Sequence, residues 1–183
     1  MSVLWKTLET GPKGKVPDVV YVIVEIPKGS RNKYEMDKES GAIFLDRDLF
    51  TSMEYPGDYG SIPQTLCGDG DPVDALVLVT ESHYPGIVIP ARPVALIKMT
   101  DEKGRDDKVL CVPEKKIDPR FNGMKDLKDI PDHIIKEITH FFMHMKELEP
   151  GKWTKIEKWE NSKKAKKFIE ESIMLYKKKG VYE

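Results

Sequence analysis

Short apolar runs rich in β-branched residues, separated by Gly, Pro and charged residues, occupy the first two-thirds of the chain. This pattern is typical of strands, and it predicts strands at residues 19–26, 33–37, 42–48, 75–80, 87–100 and 108–112. The second and third runs flank residues 38–41, a predicted hairpin turn in which Gly41 takes a positive φ. Pro90 and Pro93 require an edge, a bulge or a bend in the longest run. Many short strands with this punctuation favour a small barrel.

A helical period replaces the strand pattern in the last third of the chain. The first predicted helix begins at Pro131, a favoured residue of a first turn, and ends at Pro150-Gly151. Its apolar face comprises Ile134, Ile138, Phe141, Phe142, Met145 and Leu148. A second helix is predicted from Asn161, as its N-cap, to Gly180. Its expected buried residues are Ala165, Phe168, Ile169 and Ile173. The patterns together predict an α+β fold, a β-barrel with two packed α-helices, and a single domain over residues 1–183.

Composition narrows the class of protein. The chain has 183 residues, 33% of them charged, and a net charge of −1, so no overall charge draws it to nucleic acid or anionic lipid. It contains no apolar run long enough for a signal peptide or a membrane span, and we therefore expect a cytoplasmic protein. Two cysteines are too few for a disulfide framework. Dense local charge of both signs fits either a site for a polyanion and its metals or a salt-bridged surface.

Three carboxylates lie within six residues in the segment Asp69-Gly70-Asp71-Pro72-Val73-Asp74. Such carboxylates repel one another unless cations neutralise them, and hard oxygen ligands suit Mg²⁺, Mn²⁺ or Ca²⁺. Gly70 and Pro72 predict a tight turn that fixes the carboxylate directions at the end of a strand. An EF-hand is excluded, because its positions six and twelve would be Asp74 and Thr80 rather than Gly and Glu. A solvated acidic turn remains the alternative.

Other charged and aromatic residues are expected near one end of the barrel. Residues 101–108 form a second acidic cluster, which by itself is typical of an exposed hairpin but is compatible with a metal site shared with the first cluster. Isolated charges within the strand-like segments fit either exposed edges or a polar end of the barrel, since unpaired buried charge is costly. These charges are Glu25, Lys33, Glu35 and Arg47. The loop containing Tyr55 and Tyr59 fits either hydroxyl donors to an anion or simple packing.

Two other motifs are absent or incomplete. No G-x-x-x-x-G-K-[ST] loop is present, which excludes the nucleotide-binding P-loop. His140 and His144 lie one helical turn apart, but residues 141–143 are Phe-Phe-Met and lack the Glu of the zincin pattern. We interpret this histidine pair as a packing or subunit contact. The lysine-rich segment 163–167 is interpreted as the solvated face of the second helix.

Taken in order along the chain, these features resemble the family I soluble inorganic pyrophosphatases of the prokaryotic type. The resemblance extends from about Val19 to Trp159, and its most specific part is the Asp-Gly-Asp-Pro-Val-Asp segment. The other matching stretches are Glu-Ile-Pro at 25–27, Lys-Tyr-Glu at 33–35, Asp-Arg at 46–47, Tyr-Pro-x-x-Tyr-Gly at 55–60, Met-Thr-Asp-Glu at 99–102 and His-Phe-Phe at 140–142. The resemblance implies an OB-like, distorted five-stranded β-barrel with helices packed outside it.

The resemblance also implies an enzyme that hydrolyses pyrophosphate to two phosphates, with about three to four Mg²⁺ ions at the barrel mouth. The implied metal ligands are Asp69, Asp74, Asp101, Asp106, Glu35 and Glu25. The implied phosphate ligands are Lys33, Arg47, Tyr59, Lys108 and Lys146. Asp71 is implied as the base near the nucleophilic water, and Tyr55 as support for the carboxylates. Metal-activated water would attack in line, without a covalent intermediate. Members of this length are commonly homohexamers.

One position departs from the resemblance. The family usually carries Tyr-Lys near the end of the first long helix, where this chain carries Met145-Lys146. A thioether cannot donate a hydrogen bond, and a hydrogen bond to a charged group is worth roughly 1.5–3 kcal/mol. We therefore expect activity to remain but binding on the phosphate side to be weaker.

Three other functions compete with this one. A non-catalytic OB-type module would bind nucleic acid through a basic groove with stacking aromatics, whereas carboxylates crowd the expected barrel mouth, so we expect neither a nucleic-acid nor a membrane partner. A metal-dependent phosphatase of broader range would use a pocket for a base or ribose, of which the sequence gives no sign. A structural calcium-binding domain would not need the Lys and Arg phosphate ligands.

Overall fold

The computed structural model describes residues 4–179 of the chain. Within these residues the strands are β1 (Val20–Ile26), β2 (Asn32–Met36), β3 (Ile43–Asp48), β4 (Asp58–Ile62), β5 (Val73–Val77), β6 (Val88–Asp101), β7 (Gly104–Arg105), β8 (Lys108–Pro113) and β9 (Thr154–Asn161). The α-helices are α1 (Leu4–Thr7), α2 (Asp132–His144) and α3 (Ser162–Lys178). Single 3₁₀ turns lie at Pro119–Phe121 and Leu127–Asp129.

Five strands form a closed ring in the order β1-β4-β5-β8-β6, because β6 also pairs with β1. All of these pairs are antiparallel except β5–β8, which is parallel. Strands β7 and β9 add to β6 outside the ring, and β2–β3 form a separate hairpin. The expected α+β fold with five barrel strands is therefore confirmed, with one correction. The ring is a mixed sheet with strands added at its edge rather than a clean barrel.

Irregular backbone positions in and between the strands coincide with glycine and proline residues of the sequence. Gly41 has a φ of 72° at the end of the β2–β3 turn, as expected for a residue without a Cβ. The pairing of β6 with β8 shifts register between Pro93 and Ala95, which confirms the expected irregularity at Pro93. The strand predicted at 75–80 begins and ends earlier, at Val73–Val77.

Sequence patterns miss α1 and three strands, namely β4, β9 and the two-residue β7. The Tyr55–Tyr59 segment was expected to be a loop, but residues from Asp58 onward form β4, all of whose residues are buried. A Cβ on Gly60 of β4 would lie 1.9 Å from the carbonyl oxygen of Ile23. The glycine that indicates a loop in the sequence is thus the residue that lets β4 approach β1.

Helix α2 is shorter than predicted, because it ends at His144 rather than near Pro150. Ile138, Phe141 and Phe142 are buried as expected, but Leu148 lies beyond the helix and is 62% exposed. Its assignment to the apolar face was therefore wrong, since the helical period does not continue through residues 145–150.

Helix α3 begins as predicted, with the side chain of Asn161 accepting a hydrogen bond of 3.1 Å from the Lys164 amide. Ala165 and Ile169 are fully buried, whereas Phe168 and Ile173 are half-buried. The predicted end at Gly180 lies outside the described residues. In segment 163–167 the lysines are exposed or half-buried, which confirms a solvated face.

The core consists of two large apolar clusters on either side of the ring. One packs the ring against α2 and includes Tyr55 and Tyr59, and the other packs the ring against Ala165 and Ile169 of α3. No helix within residues 4–179 combines the length and apolar character required to cross a bilayer. Helices α2 and α3 thus each pack against one of the two apolar clusters of the ring.

Candidate active site

A cavity of about 430 Å³ opens where the ends of several ring strands meet the β2–β3 hairpin and the end of α2. Every residue predicted for the site lines this cavity except Arg47. The lining residues so predicted are Glu25, Lys33, Glu35, Tyr55, Tyr59, Asp69, Asp71, Asp74, Asp101, Asp106, Lys108 and Lys146. The fold thus brings residues from distant parts of the chain to one place. This agrees with the expectation that the isolated charges within the strands form a polar end of the barrel.

The acidic segment forms the tight turn that its glycine predicts. Gly70 has a φ of 92°, and the backbone N–H of Asp71 donates to a carboxylate oxygen of Asp69 at 2.9 Å. The amide of Cys67 donates to the Asp71 carbonyl at 2.7 Å, which closes the turn. Asp74 follows on β5, in register with Lys108 of the parallel strand β8. The turn therefore presents its carboxylates at the cavity in fixed directions.

Lys108 neutralises the carboxylates at the centre of the cavity. Its ammonium contacts both Asp74 and Asp106, and its side chain is 6% exposed. Burial would lower the pKa of Lys108, but the two carboxylates raise it above its usual range, so the lysine stays charged. Burial also raises the pKa of Asp106, although Lys108 opposes this effect. One ammonium group is therefore shared by the carboxylates of Asp74 and Asp106.

Lys146 plays the same part beside the second acidic cluster. Its Nζ lies 2.8 Å from Asp101 Oδ2 and 3.6 Å from Glu102 Oε2. Burial would raise the pKa of Asp101, but hydrogen bonds from Lys146 and the Lys103 amide, together with the lysine charges, hold that pKa below its usual range. Residues 101–108 do form a hairpin through β7, yet Asp101 is 7% exposed. The cluster is therefore a hairpin that also faces the cavity.

Lys33 and Arg47 face each other across the β2–β3 hairpin. Lys33 contacts Glu35 and lies 3.0 Å from Asp46. Arg47 also contacts Asp46, but its guanidinium reaches 3.0 Å from the buried carboxylate of Glu149. Arg47 therefore lies beside the cavity rather than on its lining, next to Lys33, with which it shares the Asp46 carboxylate.

Glu25 interrupts the apolar strand β1 and faces the cavity. Ser61 donates a hydrogen bond of 2.7 Å to Glu25 Oε1. Burial raises the pKa of Glu25 to about 7, because desolvation outweighs the hydrogen bond from Ser61. The carboxyl group of Glu25 therefore titrates close to neutral pH when no cation is bound to it.

The two tyrosines are both packed residues and cavity residues, so the two interpretations of this segment combine. Tyr55 and Tyr59 are 2% and 9% exposed, with ring centroids 5.5 Å apart. Burial raises the pKa of Tyr55 well above its usual value. Tyr59 shows the same shift, caused first by burial and then by Asp74. Both hydroxyls therefore stay protonated and can donate hydrogen bonds.

Sequence reasoning missed several polar residues that also line the cavity, among them Lys38, Ser61, Lys103 and Arg105. Lys38 was interpreted as part of a hairpin turn, yet its ammonium contacts Asp71. Ser61 belongs to β4, which the sequence did not predict. Lys103 and Arg105 belong to the second acidic cluster, where alternating charge was the available signal.

The carboxylates are paired with lysines rather than grouped by themselves. Within residues 4–179, no three His, Cys, Asp or Glu side chains are close enough together to form a preformed metal site. The donors facing the cavity are oxygens of carboxylates, which are the ligands of hard divalent cations. His140 and His144, with ring centroids 4.6 Å apart, line a separate groove between α2 and β9. The histidine pair thus takes no part in the cavity.

The closed ring of strands and a cavity of alternating carboxylates and lysines define an OB-like α+β protein suited to bind a polyanion with divalent cations. A family model described as inorganic pyrophosphatase matches residues 22–177. The chain belongs to this family.

Relatives and solved structures match over nearly their whole length. The chain is 50% identical over 170 residues to the inorganic pyrophosphatase of Aquifex pyrophilus, covering 92% of this chain and 96% of that protein. It is 51% identical over 166 residues to that of Saccharolobus solfataricus, covering 91% and 96%. The structure is similar to the crystal structure of inorganic pyrophosphatase from Thermus thermophilus, with a TM-score of 0.90 and 46% sequence identity. The match covers 94% of this chain and 98% of that chain.

Proposed function

We propose that this chain hydrolyses inorganic pyrophosphate to two orthophosphates, by direct in-line attack of water and without a covalent intermediate. The observation that carries the proposal is the cavity in which Lys33, Lys108 and Lys146 each pair with carboxylates. A small polyanion needs cations around it, and the sites for those cations need carboxylates. Family membership supports the same reaction.

We further propose that the carboxylates hold Mg²⁺, about three to four ions per site. The proposed ligands are Asp69, Asp74, Asp101, Asp106, Glu35 and Glu25, all of which face the cavity. Their donor set fits Mg²⁺, because it consists of hard carboxylate oxygens. When bound, Mg²⁺ lowers the pKa of water and neutralises charge on phosphoryl oxygens.

The chain's own cations and hydroxyls bind the substrate. Asp74 and Asp106 would hold a divalent cation, and the buried ammonium of Lys108 between them would then donate to a phosphate oxygen. Lys146 beside Asp101 would do the same. Tyr59 stays protonated and donates a hydrogen bond to phosphate, and Arg47 supplies further N–H donors from beside Lys33. These groups place positive charge around the transferred phosphoryl group, where charge accumulates in the transition state.

Asp71 is proposed as the base that accepts the proton of the attacking water. It belongs to the closed acidic turn, and its side chain is 59% exposed at the cavity. Tyr55 is buried close enough to Asp74 and Glu25 for their charges to act on its pKa, and it keeps its proton, so we assign it to supporting those carboxylates. Asp71 thus accepts the proton, whereas Tyr55 helps to position the carboxylates.

Met145 occupies the position at which the family is expected to carry a phosphate-binding tyrosine. It lines the cavity and is 6% exposed at the end of α2. The thioether fills the space but offers no hydrogen-bond donor. We propose that the enzyme binds phosphate more weakly at this point.

We also propose that residues 1–183 form a single cytoplasmic domain that assembles as a homohexamer. The apolar groove between α2 and β9, lined by Ile135, Met143, Ile156 and Trp159 among others, supports a contact between subunits. His140 and His144 lie in this groove, which agrees with the histidine pair being a subunit contact. Sedimentation analysis of the purified protein measures the number of subunits.

The test is phosphate release from pyrophosphate with Mg²⁺, repeated with EDTA and with ATP as substrate. Rapid release that requires Mg²⁺ and spares ATP supports the proposed enzyme. Equal hydrolysis of ATP would instead favour a phosphatase of broader range. No release with any divalent metal, together with a salt-dependent shift of single-stranded DNA, would favour a nucleic-acid-binding module.

A further inference from the structure

Lys38 lies at the turn of the β2–β3 hairpin and reaches across the cavity to the acidic turn. Its ammonium contacts one carboxylate oxygen of Asp71, Oδ1, and lies 3.3 Å from the carbonyl oxygen of Gly70. The side chains of Lys38 and Asp71 are 47% and 59% exposed. The contact therefore depends on where the turn is held rather than on burial.

The turn that carries Lys38 is held by a set of hydrogen bonds. The Asp37 carboxylate accepts from the Ser40 amide at 2.7 Å and from its hydroxyl at 2.6 Å. The Gly41 amide donates to the Asp37 carbonyl at 2.8 Å. The indole N–H of the buried Trp5 donates to the Lys38 carbonyl at 3.2 Å. The turn is thus ordered internally and tied to α1.

The partner of Lys38 distinguishes it from the other cavity lysines. Lys33, Lys108 and Lys146 each contact a carboxylate that we assign to metal ions, so a bound cation would compete with these lysines. Asp71 is assigned to the attacking water instead, and a contact at its Oδ1 leaves its second oxygen to accept a proton. The pair of Lys38 and Asp71 is therefore compatible with the loaded site.

We propose that Lys38 is a positioning residue for hydrolysis, which holds one oxygen of Asp71 so that the other faces the attacking water. This inference rests on the proposed function. Lys38 acts through Asp71 and not on the substrate, so its removal should affect turnover more than substrate binding. Trp5 supports the contact by fixing the turn.

The test compares the wild type with Lys38→Met, Lys38→Arg and Trp5→Phe in steady-state hydrolysis of pyrophosphate with Mg²⁺. For Lys38→Met we expect kcat to fall about fivefold, as befits a half-exposed ion pair, while KM changes less than about twofold. Lys38→Arg should restore most of kcat, because guanidinium also donates to a carboxylate. Trp5→Phe should cause a smaller fall that is not additive with Lys38→Met.

Lys163→Met is the matched control, because this lysine is exposed on α3 away from the cavity, and it should leave kcat and KM unchanged. A rise in KM at constant kcat for Lys38→Met would show that Lys38 binds substrate directly and would overturn the positioning role. Failure of Lys38→Arg to recover kcat, with normal folding by circular dichroism, would overturn it as well.

Crystal structures of the wild type and Lys38→Met test the same idea without any turnover. We expect one conformer of the Asp71 carboxylate in the wild type and several in the variant. An unchanged Asp71 carboxylate in the variant would refute the positioning role even if hydrolysis is confirmed. A wild type that does not hydrolyse pyrophosphate would refute the proposed function, and the two crystal structures would still decide whether Lys38 orders Asp71.

Discussion

Replacing Lys108 by Met tests whether this ammonium stabilises the protein by pairing the cavity carboxylates. Lys108 is 6% exposed and contacts Asp74 and Asp106. Methionine retains an unbranched apolar stem and removes the charge. The two carboxylates would then lie close together without a cation between them. Their repulsion would favour the unfolded chain in the absence of metal.

The expected loss of stability follows from how deeply the network is buried. Removing one partner of a fully buried ion pair costs about 3–5 kcal/mol, whereas an exposed pair contributes about 0–1 kcal/mol. Asp74 and Asp106 are 31% and 24% exposed, so we expect a loss of about 2 kcal/mol, between these limits. For a chain of this length, that loss lowers Tm by about 4–8 °C.

The assay is thermal and urea unfolding in EDTA, repeated with MgCl₂. A divalent cation can replace the ammonium between the carboxylates, so Mg²⁺ should raise the Tm of Lys108→Met more than that of the wild type. Lys98→Met is the control, because Lys98 pairs with Asp107, which is buried and lies outside the cavity. Mg²⁺ should not restore its stability. An unchanged Tm for Lys108→Met, or an equal gain from Mg²⁺ in all three proteins, would refute the reasoning.

Three further predictions concern single residues of the cavity. Because burial raises the pKa of Glu25 from 4.5 to about 7, the folded protein retains a proton that the unfolded chain releases, so stability falls as pH rises through this window. Glu25→Gln should remove that fall in urea titrations in EDTA, and an equally steep fall in the variant would contradict the assignment. Asp71→Asn should lower kcat by about 10²–10⁴-fold in phosphate-release assays, and full activity would exclude Asp71 as the base. Met145→Tyr should lower KM by roughly tenfold through one hydrogen bond to charged phosphate; constant KM and kcat would show that the thioether costs nothing.

The parts of the site that could be predicted from the sequence are those whose chemistry is local. Asp69, Asp71 and Asp74 stand in one turn, so their repulsion and their need for cations can be inferred without a fold. Gly70 and Gly41 likewise take the positive φ that their turns require. In each case neighbours in sequence decide the structure.

The parts that could not be predicted depend on contacts between distant residues. The contact of Lys38 with Asp71 exists because Trp5 fixes a hairpin turn more than thirty residues away. The guanidinium of Arg47 pairs with Glu149, which lies about a hundred residues further along the chain. Strand β9 has modest apolar character, and it forms because β6 offers it an edge. No local pattern encodes these three outcomes.

The cavity lysines differ in how strongly they couple the stability of the folded protein to substrate binding. Burying carboxylates without metal requires a cation, and Lys108, also a proposed phosphate ligand, supplies it between Asp74 and Asp106. A substitution at Lys108 therefore changes folding and substrate affinity together, and kinetics alone cannot separate them. Lys38 and Asp71 are half-exposed, so removing their contact costs little stability. A change in turnover at Lys38 therefore reports on the reaction itself.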